Sequence, residues 1–315
     1  MVGVVIPCYK CKKHIVEVLA KIGSEVDKIY IIDDCCPERT GQFVEQTVKD
    51  DRVQVIYNEV NLGVGGAVVA GYLRAQREGC TVVVKLDGDG QMDPSMIQRF
   101  INPILRGYAD YTKGNRFNQI DYLADMPPIR IFGNAVLSFF TKLSSGYWTL
   151  FDPTNGYTAI HTAILDQVGL EKLHKRYFFE SDILFRLNIC RAVVVDIPMP
   201  AKYGEEVSGL NELRIIPTFI WGHVKNFCKR ISYNYFLRNF SLASLQFIMG
   251  ILLLFFGIVY GGFQWWHSYI LEVTTPSGKV MMAALPVILG IQFLLSFFGY
   301  DISSMPQFPL HKKIQ

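Results

Sequence analysis

Thr81-Val82-Val83-Val84-Lys85-Leu86-Asp87-Gly88-Asp89-Gly90-Gln91 is the stretch whose reading decides the fold. Residues 81–86 are small or apolar except for Lys85, and they read as a buried strand that ends at Asp87. Two carboxylates one residue apart at a strand end can reach one divalent cation. A hard ion such as Mg²⁺ or Mn²⁺ takes oxygen ligands and often bridges carboxylates to phosphates. An ordinary acidic turn would look the same in isolation, so the neighbouring sequence must decide.

Upstream, residues 2–6 form an apolar run stopped by Pro7, and residues 12–22 carry Ile15, Val18, Leu19 and Ile22 at helical spacing. Residues 28–32 read as a second strand ending at Asp33-Asp34, 41–48 as a helix, and 53–57 as a third strand. Asn61-Leu62-Gly63-Val64-Gly65-Gly66 then opens a helix over 66–78. Glycines there would let backbone approach a phosphate, but the lysine of a P-loop is missing, so a tight turn is the stronger reading. Downstream, 93–106 reads as a helix, 109–113 as a strand, 127–145 as a helix after Pro127-Pro128, and 192–197 as a late strand. Strands alternating with helices predict an α/β fold, a mostly parallel sheet with helices on both faces. Ligands in such sheets bind beyond the carboxyl ends of the strands. Asp33, Asp34, Asp87 and Asp89 all fall at such ends.

The chain has 315 residues, half of them apolar, and a net charge of only +3. The apolar excess is concentrated late. Residues 242–263 and 280–300 each run without a charge, and each is long enough to cross a hydrocarbon core as a helix. Lys225, Lys229, Arg230 and Arg238 precede the first span, and Lys312 and Lys313 follow the second. The positive-inside rule places both flanks in the cytoplasm. Trp265, Trp266 and Tyr269 fit an interfacial aromatic belt at the opposite end. Residues 215–238 are amphipathic and predict a helix lying in the membrane interface. Residues 1–7 lack the basic flank of a signal peptide. The expected organisation is a catalytic domain over 1–212, interfacial helices over 213–240, and an anchor over 241–315.

The seven cysteines are expected to be reduced in the cytoplasm. Cys8 and Cys11 form a C-x-x-C with no second such pair, and they read as loop packing, as do Cys35 and Cys36. The six histidines show no metal-ligand spacing. Phe179-Glu180-Ser181-Asp182 reads equally well as a sugar-pocket border or as a helix start capped by Ser181 or Asp182.

Taken in order, these motifs resemble family 2 glycosyltransferases of the GT-A fold, in the branch of dolichol-phosphate mannosyltransferase and the bacterial polyprenyl-phosphate glycosyltransferases. Val4-Val5-Ile6-Pro7-Cys8-Tyr9 is similar to the family's opening strand and P-x-Y turn. Lys113-Gly114-Asn115-Arg116-Phe117 looks like its G-S-R-Y segment, with Asn115 in place of serine. Phe151-Asp152-Pro153-Thr154-Asn155-Gly156-Tyr157 resembles its D-x-x-x-G-[FY] motif. Gly299-Tyr300-Asp301-Ile302-Ser303-Ser304 is similar to the tail of the bacterial members. The likeness runs along essentially the whole chain.

The resemblance implies a role for each matched residue. Pro7, Tyr9, Asp33, Asp34, Asn61 and Gly63 would line the nucleoside site. Asp87, Gly88 and Asp89 would meet the diphosphate, with Asp87, Asp89 and Gln91 around a Mg²⁺ or Mn²⁺ ion. Arg116, Arg130 and Asn134 would bind the acceptor phosphate, for which a guanidinium fork is suited. Lys202 would face the leaving diphosphate where relatives often place arginine. Asp89, Asp152, Arg116 and Arg130 would form the catalytic set.

The implied reaction carries a hexose from a UDP- or GDP-linked donor to undecaprenyl or dolichyl phosphate, with inversion. A phosphate monoester with a second pKa of about 6 is already largely dianionic near neutrality. It needs little general base, so Asp152 is expected to orient rather than to take a proton. Implied partners are the nucleotide-sugar, the lipid phosphate, the membrane, a second copy of the chain, and a flippase and later transferase. A processive polysaccharide synthase would carry Q-x-x-R-W before its pore helices, and this chain has none. A catalytically silent nucleotide-binding adaptor would not need both an acidic pair and a phosphate clamp.

Overall fold

The computed structural model describes residues 1–118, 128–200 and 212–314. The elements in chain order are β1 (Val2–Cys8), α1 (Ile15–Ala20), β2 (Lys28–Asp33), α2 (Thr40–Thr47), β3 (Val53–Tyr57), α3 (Gly63–Arg77), β4 (Val82–Lys85), α4 (Ile97–Leu105) and β5 (Tyr111–Asn115). They continue with α5 (Pro128–Ser145), β6 (Thr158–His161), α6 (Leu165–Val168), α7 (Phe179–Ile189), β7 (Val194–Pro198), α8 (Glu212–Ser232), α9 (Leu242–Ile270), α10 (Ser277–Ser303) and α11 (His311–Ile314).

The strands form a seven-stranded sheet in the order β3-β2-β1-β4-β6-β5-β7. β1, β2, β3 and β4 are parallel, and β6 runs antiparallel to both β4 and β5. Alternate residues of a strand face opposite sides. Val4, Ile6, Val82 and Val84 accordingly pack under α1, α2 and α4, while Val5 and Val83 pack under α3, α6 and α7. β6 is the strand the sequence reading does not anticipate. Its four residues are too few to show a period, and its direction breaks the strand–helix alternation. That direction matters for the site. An antiparallel β6 enters from the edge where β1, β2, β4 and β5 end, so residues 152–157 arrive beside Asp87.

The chain divides into two compact units, one of residues 1–228 with 306–315, the other of residues 229–305. The division falls inside α8, and the last ten residues belong with the sheet. Leu310 N and His311 N donate to the carboxylate of Asp110 at 2.7 and 2.8 Å, and His311 Nδ1 lies 2.6 Å from the same carboxylate. The His311 ring stacks on His161 at 4.4 Å.

In the second unit, α9 and α10 are long and apolar enough to cross a membrane. They approach backbone to backbone. A Cβ on Gly290 would stand 2.8 Å from Leu254 N and 2.9 Å from Gly250 O, the small-residue contact by which apolar helices associate without a hydrophobic driving force. Arg230, one of the basic residues before the first span, is not a free cation. It forms two hydrogen bonds with Asp301 at 2.6 and 3.0 Å, and Tyr235 donates to the same carboxylate at 2.6 Å.

The first unit holds two buried histidines whose titration has a predictable consequence. Burial pushes His161 down to about 4, helped by His311 and opposed by Asp110. Burial alone pushes His223 down to about 4. Both folded values lie below the ordinary value of about 6.5, so on acidification the unfolded chain takes up these protons first. The stabilisation is complete above about pH 6.5 and is lost as pH falls towards 4. Denaturation of the detergent-solubilised protein is therefore expected to show a lower midpoint at pH 5 than at pH 7.5, and His223→Phe should flatten the difference. An unchanged midpoint would contradict it.

Candidate functional site

The site lies at the sheet edge where β1, β2, β4 and β5 end. The two carboxylates at the end of β2, Asp33 and Asp34, are buried and accept mainly from backbone amides. Asp33 accepts from Cys36 N and Gly41 N, both at 2.7 Å. Asp34 accepts from Leu62 N, Gly63 N and Asn58 Nδ2, each at 2.8 Å. They therefore fix the loops that follow β2 and β3, with lone pairs left over for a ligand.

The glycine-rich turn is a tight turn, not a phosphate cradle. Gly65 N and Gly66 N donate to Lys175 O at 2.9 and 3.3 Å. Gly63 has φ +77, and a Cβ there would meet Lys175 O at 2.6 Å. The amides that would face a phosphate already have partners. Asn61 reaches Asp34 O at 3.3 Å. At the end of β1, Pro7 lies within the strand and Tyr9 is exposed.

Beyond β4 the chain turns sharply. Gly90 takes φ +80, and Gln91 N donates to Asp89 Oδ1 at 2.9 Å. Gly88 sits against Cys11, whose Sγ a Cβ would meet at 3.0 Å. Cys8 and Cys11 are buried free thiols, and Cys35 and Cys36 are also free. Lys85 Nζ lies 3.0 Å from Asp87 Oδ1 and 3.5 Å from Glu180 Oε1. Glu180 stands in the first turn of α7. The sequence reading of a capped helix start at 179–182 is corrected here: Phe178 occupies the cap position, and no side chain caps the helix. Asp182 instead accepts from His174 N and Asn226 Nδ2 at 2.9 Å each.

Asp152 is fully buried, with φ +54. It accepts from Arg116 three times, at Nε and Nη2 (2.7 Å each) and at the backbone N (3.1 Å). Asn155 Nδ2 donates to it as well, at 3.1 Å. Burial alone would raise its pKa, but the hydrogen bond and charge of Arg116 and the charge of Lys113 outweigh that and hold it below the usual carboxylate range. A carboxylate so occupied is a poor proton acceptor. Below it, Lys113 donates to the carbonyls of Phe151 and Asp152 at 2.5 and 2.9 Å and pairs with Asp196 at 3.2 Å. The motif reading did not single out Lys113 or Asp196. The only signal was a lysine inside a strand that ends at the site.

One segment joins the two halves of the site. Asp152 holds Arg116 and is itself held by Asn155, while a Cβ on Gly156 would meet Asp87 Oδ2 at 2.8 Å. Arg130 and Asn134 lie on α5, and Lys202 lies outside the described residues. Among the described residues no group of three or more His, Cys, Asp or Glu is arranged to hold a metal ion.

A doubly wound sheet with this acidic turn after a central strand and a guanidinium–carboxylate pair beside it defines a GT-A type enzyme that uses nucleotide sugars. Residues 3–169 match the family model for glycosyl transferase family 2, and the chain belongs to that family. It is 27% identical over 219 residues to a UDP-N-acetylglucosamine–dolichyl-phosphate N-acetylglucosaminyltransferase of Methanococcus voltae, covering 65% of this chain and 87% of that one. It is 25% identical to a polyprenol monophosphomannose synthase of Mycolicibacterium smegmatis, over 62% of this chain and 75% of the relative. An undecaprenyl-phosphate mannosyltransferase of Micrococcus luteus is 26% identical, over 62% and 81% of the two chains. Among solved structures, glucosyl-3-phosphoglycerate synthase of Mycobacterium tuberculosis, in complex with Mn²⁺, UDP and its product, shares the fold. Its TM-score is 0.55 at 14% identity, over 73% of this chain and 79% of that one.

Proposed function

We propose that this chain is an inverting glycosyltransferase moving a hexose from a UDP- or GDP-linked donor to a polyprenyl phosphate at the cytoplasmic face of the membrane. The observation that carries the reading is the 152–157 segment, which sets the Arg116 fork beside the acidic turn at Asp87. A guanidinium held in place by Asp152 still offers donors to a phosphate, and the acidic turn supplies oxygen ligands for a cation carrying a diphosphate. All three relatives are named for a polyprenyl phosphate acceptor.

Membrane attachment suits such an acceptor. Besides α9 and α10, helices α5 and α8 expose Ile129, Phe132, Phe139, Ile220 and Trp221, an apolar surface suited to a lipid interface. The basic residues Lys225, Lys229, Lys312 and Lys313 that flank the two apolar helices favour the cytoplasmic side for both flanks.

The acidic turn fits a divalent ion. Asp87 and Asp89 are hard oxygen donors, and the absence of a Cβ at Gly156 keeps Asp87 Oδ2 open. Mg²⁺ and Mn²⁺ sites of this kind use one or two carboxylates and take their remaining ligands from phosphates and water. When bound, the ion would stabilise charge on the leaving diphosphate. Asp89 and Gln91 would face it, Asp33, Asp34, Asn61 and Tyr9 would frame the nucleoside, and Lys202 would add charge at the diphosphate. Arg116, Arg130 and Asn134 would receive the acceptor phosphate. The product would be substrate for translocation and onward transfer.

The test is transfer from a panel of radiolabelled nucleotide-sugars to polyprenyl phosphate in detergent with Mg²⁺ or Mn²⁺. One donor should give an organic-extractable product that disappears with EDTA. No lipid product from any donor, with nucleotide binding intact, would overturn the acceptor assignment.

A further inference from the structure

Lys85 is the one basic residue in a strand otherwise built from valines, and it sits at the centre of the sheet. It faces the α3 and α7 side, and its side chain is 2% exposed. Its ammonium has two carboxylates to choose from. Asp87 Oδ1 is 3.0 Å away at the mouth of the site, and Glu180 Oε1 is 3.5 Å away behind it. Gly156 leaves the room that the ammonium and Asp87 share. Both carboxylates lie within ion-pair distance of this buried ammonium.

The first carboxylate of the acidic turn is thus already neutralised by a resident cation. A divalent ion approaching the turn without a nucleotide meets one committed carboxylate and a positive charge directly behind it. A nucleoside diphosphate brings its own negative charge and oxygen ligands, which offset that penalty.

Resting on the proposed function for the identity of the site, we propose that Lys85 is a positioning residue that holds Asp87 away from the metal and makes divalent-cation binding depend on the nucleotide. Glu180 sets the strength of this hold by drawing Lys85 back from Asp87. The two residues therefore act in opposite directions on the same affinity.

The experiment measures Mn²⁺ binding to the full-length protein in detergent by electron paramagnetic resonance and titration calorimetry, with and without UDP or GDP. Wild type should bind Mn²⁺ weakly alone and at least tenfold more tightly with the nucleotide. Lys85→Met should tighten Mn²⁺ binding to the protein alone by about tenfold, within what one charge a few ångströms from a partly solvated site can supply. Glu180→Gln should weaken it by several-fold, because Lys85 is then left to Asp87. A role in packing alone would move both variants the same way, towards weaker binding, and would overturn the proposal. Unchanged affinity in both would overturn it too. Should Lys85→Met fail to fold, Lys85→Gln, which removes the charge and keeps a polar side chain, decides: tighter Mn²⁺ binding to the protein alone supports the hold on Asp87, and unchanged or weaker binding overturns it. The readout contains no acceptor, so failure to form a lipid product would count against the acceptor assignment and leave this inference standing.

Discussion

Asp152→Asn is expected to lower the transfer rate by about a hundredfold or more while leaving nucleotide binding within a few-fold of wild type. The carboxylate accepts three hydrogen bonds from Arg116 and one from Asn155, so it sets where the guanidinium fork points. An amide of the same shape loses the charge and turns one oxygen into a donor that faces the fork. A misplacement of about 1 Å at a reacting group can cost about a hundredfold in rate. Asp152→Ala should be worse for folding. Removing one member of a buried pair costs roughly 3–5 kcal/mol, because the other charge stays behind. Arg116→Lys should lose rate as well, since an ammonium cannot make the two parallel bonds that a fork makes. Loss in Asp152→Asn and in Arg116→Ala should be far from additive, as expected for two groups acting as one unit.

The pH profile separates this orienting role from a proton-accepting one. Arg116 and Lys113 keep Asp152 below the ordinary carboxylate range, so its own protonation falls outside the range in which transfer is measured. The acid limb of the rate should instead follow the acceptor phosphate, near about pH 6, and should persist in the residual activity of Asp152→Asn. An acid limb that vanishes in that variant would make Asp152 the base and sink the orienting role.

The sequence exposes some of this site and conceals the rest for a physical reason. Asp87 and Asp89 are legible because they follow a strand whose apolar run is unambiguous, and strand ends are where an α/β sheet binds ligands. The hairpin is legible because uncharged runs of that length have few other uses. The Arg116–Asp152 pair is different. Its members are separated by 35 intervening residues, and only the antiparallel course of β6 brings them together. A strand as short as Thr158–His161 carries no period to read. Asp33 and Asp34 carry a structural duty that the sequence does not reveal. Strand-end carboxylates read as ligand contacts from the sequence, and in the fold their oxygens also close two loops, at Cys36–Gly41 and at Leu62–Gly63. The lysines Lys85 and Lys113 look like flaws in buried strands until their partners Glu180 and Asp196 are seen across the fold.

The Gly299–Ser304 motif poses the same question in the second unit, and Asp301 answers it. Asp301→Ala is expected to destabilise the helical hairpin by roughly 3–5 kcal/mol, the cost of leaving Arg230 buried without its carboxylate. Arg230 is 1% exposed and Asp301 2%, and their two bonds are joined by one from Tyr235. This cluster ties the approach to the first span to the end of the second, so it closes the hairpin at one end while the glycine contacts hold it along its length. The decisive comparison is between the single variant and the double variant Arg230→Met/Asp301→Leu. Replacing a buried ion pair by apolar groups of similar volume is often neutral or stabilising, so the double variant should recover most of what Asp301→Ala loses. Thermal aggregation in detergent, followed by size-exclusion chromatography, measures both. A double variant as unstable as Asp301→Ala would mean that the carboxylate does more than compensate Arg230, with the Tyr235 hydrogen bond as the first place to look. If Asp301→Ala is as stable as wild type, the cluster is not what closes the hairpin.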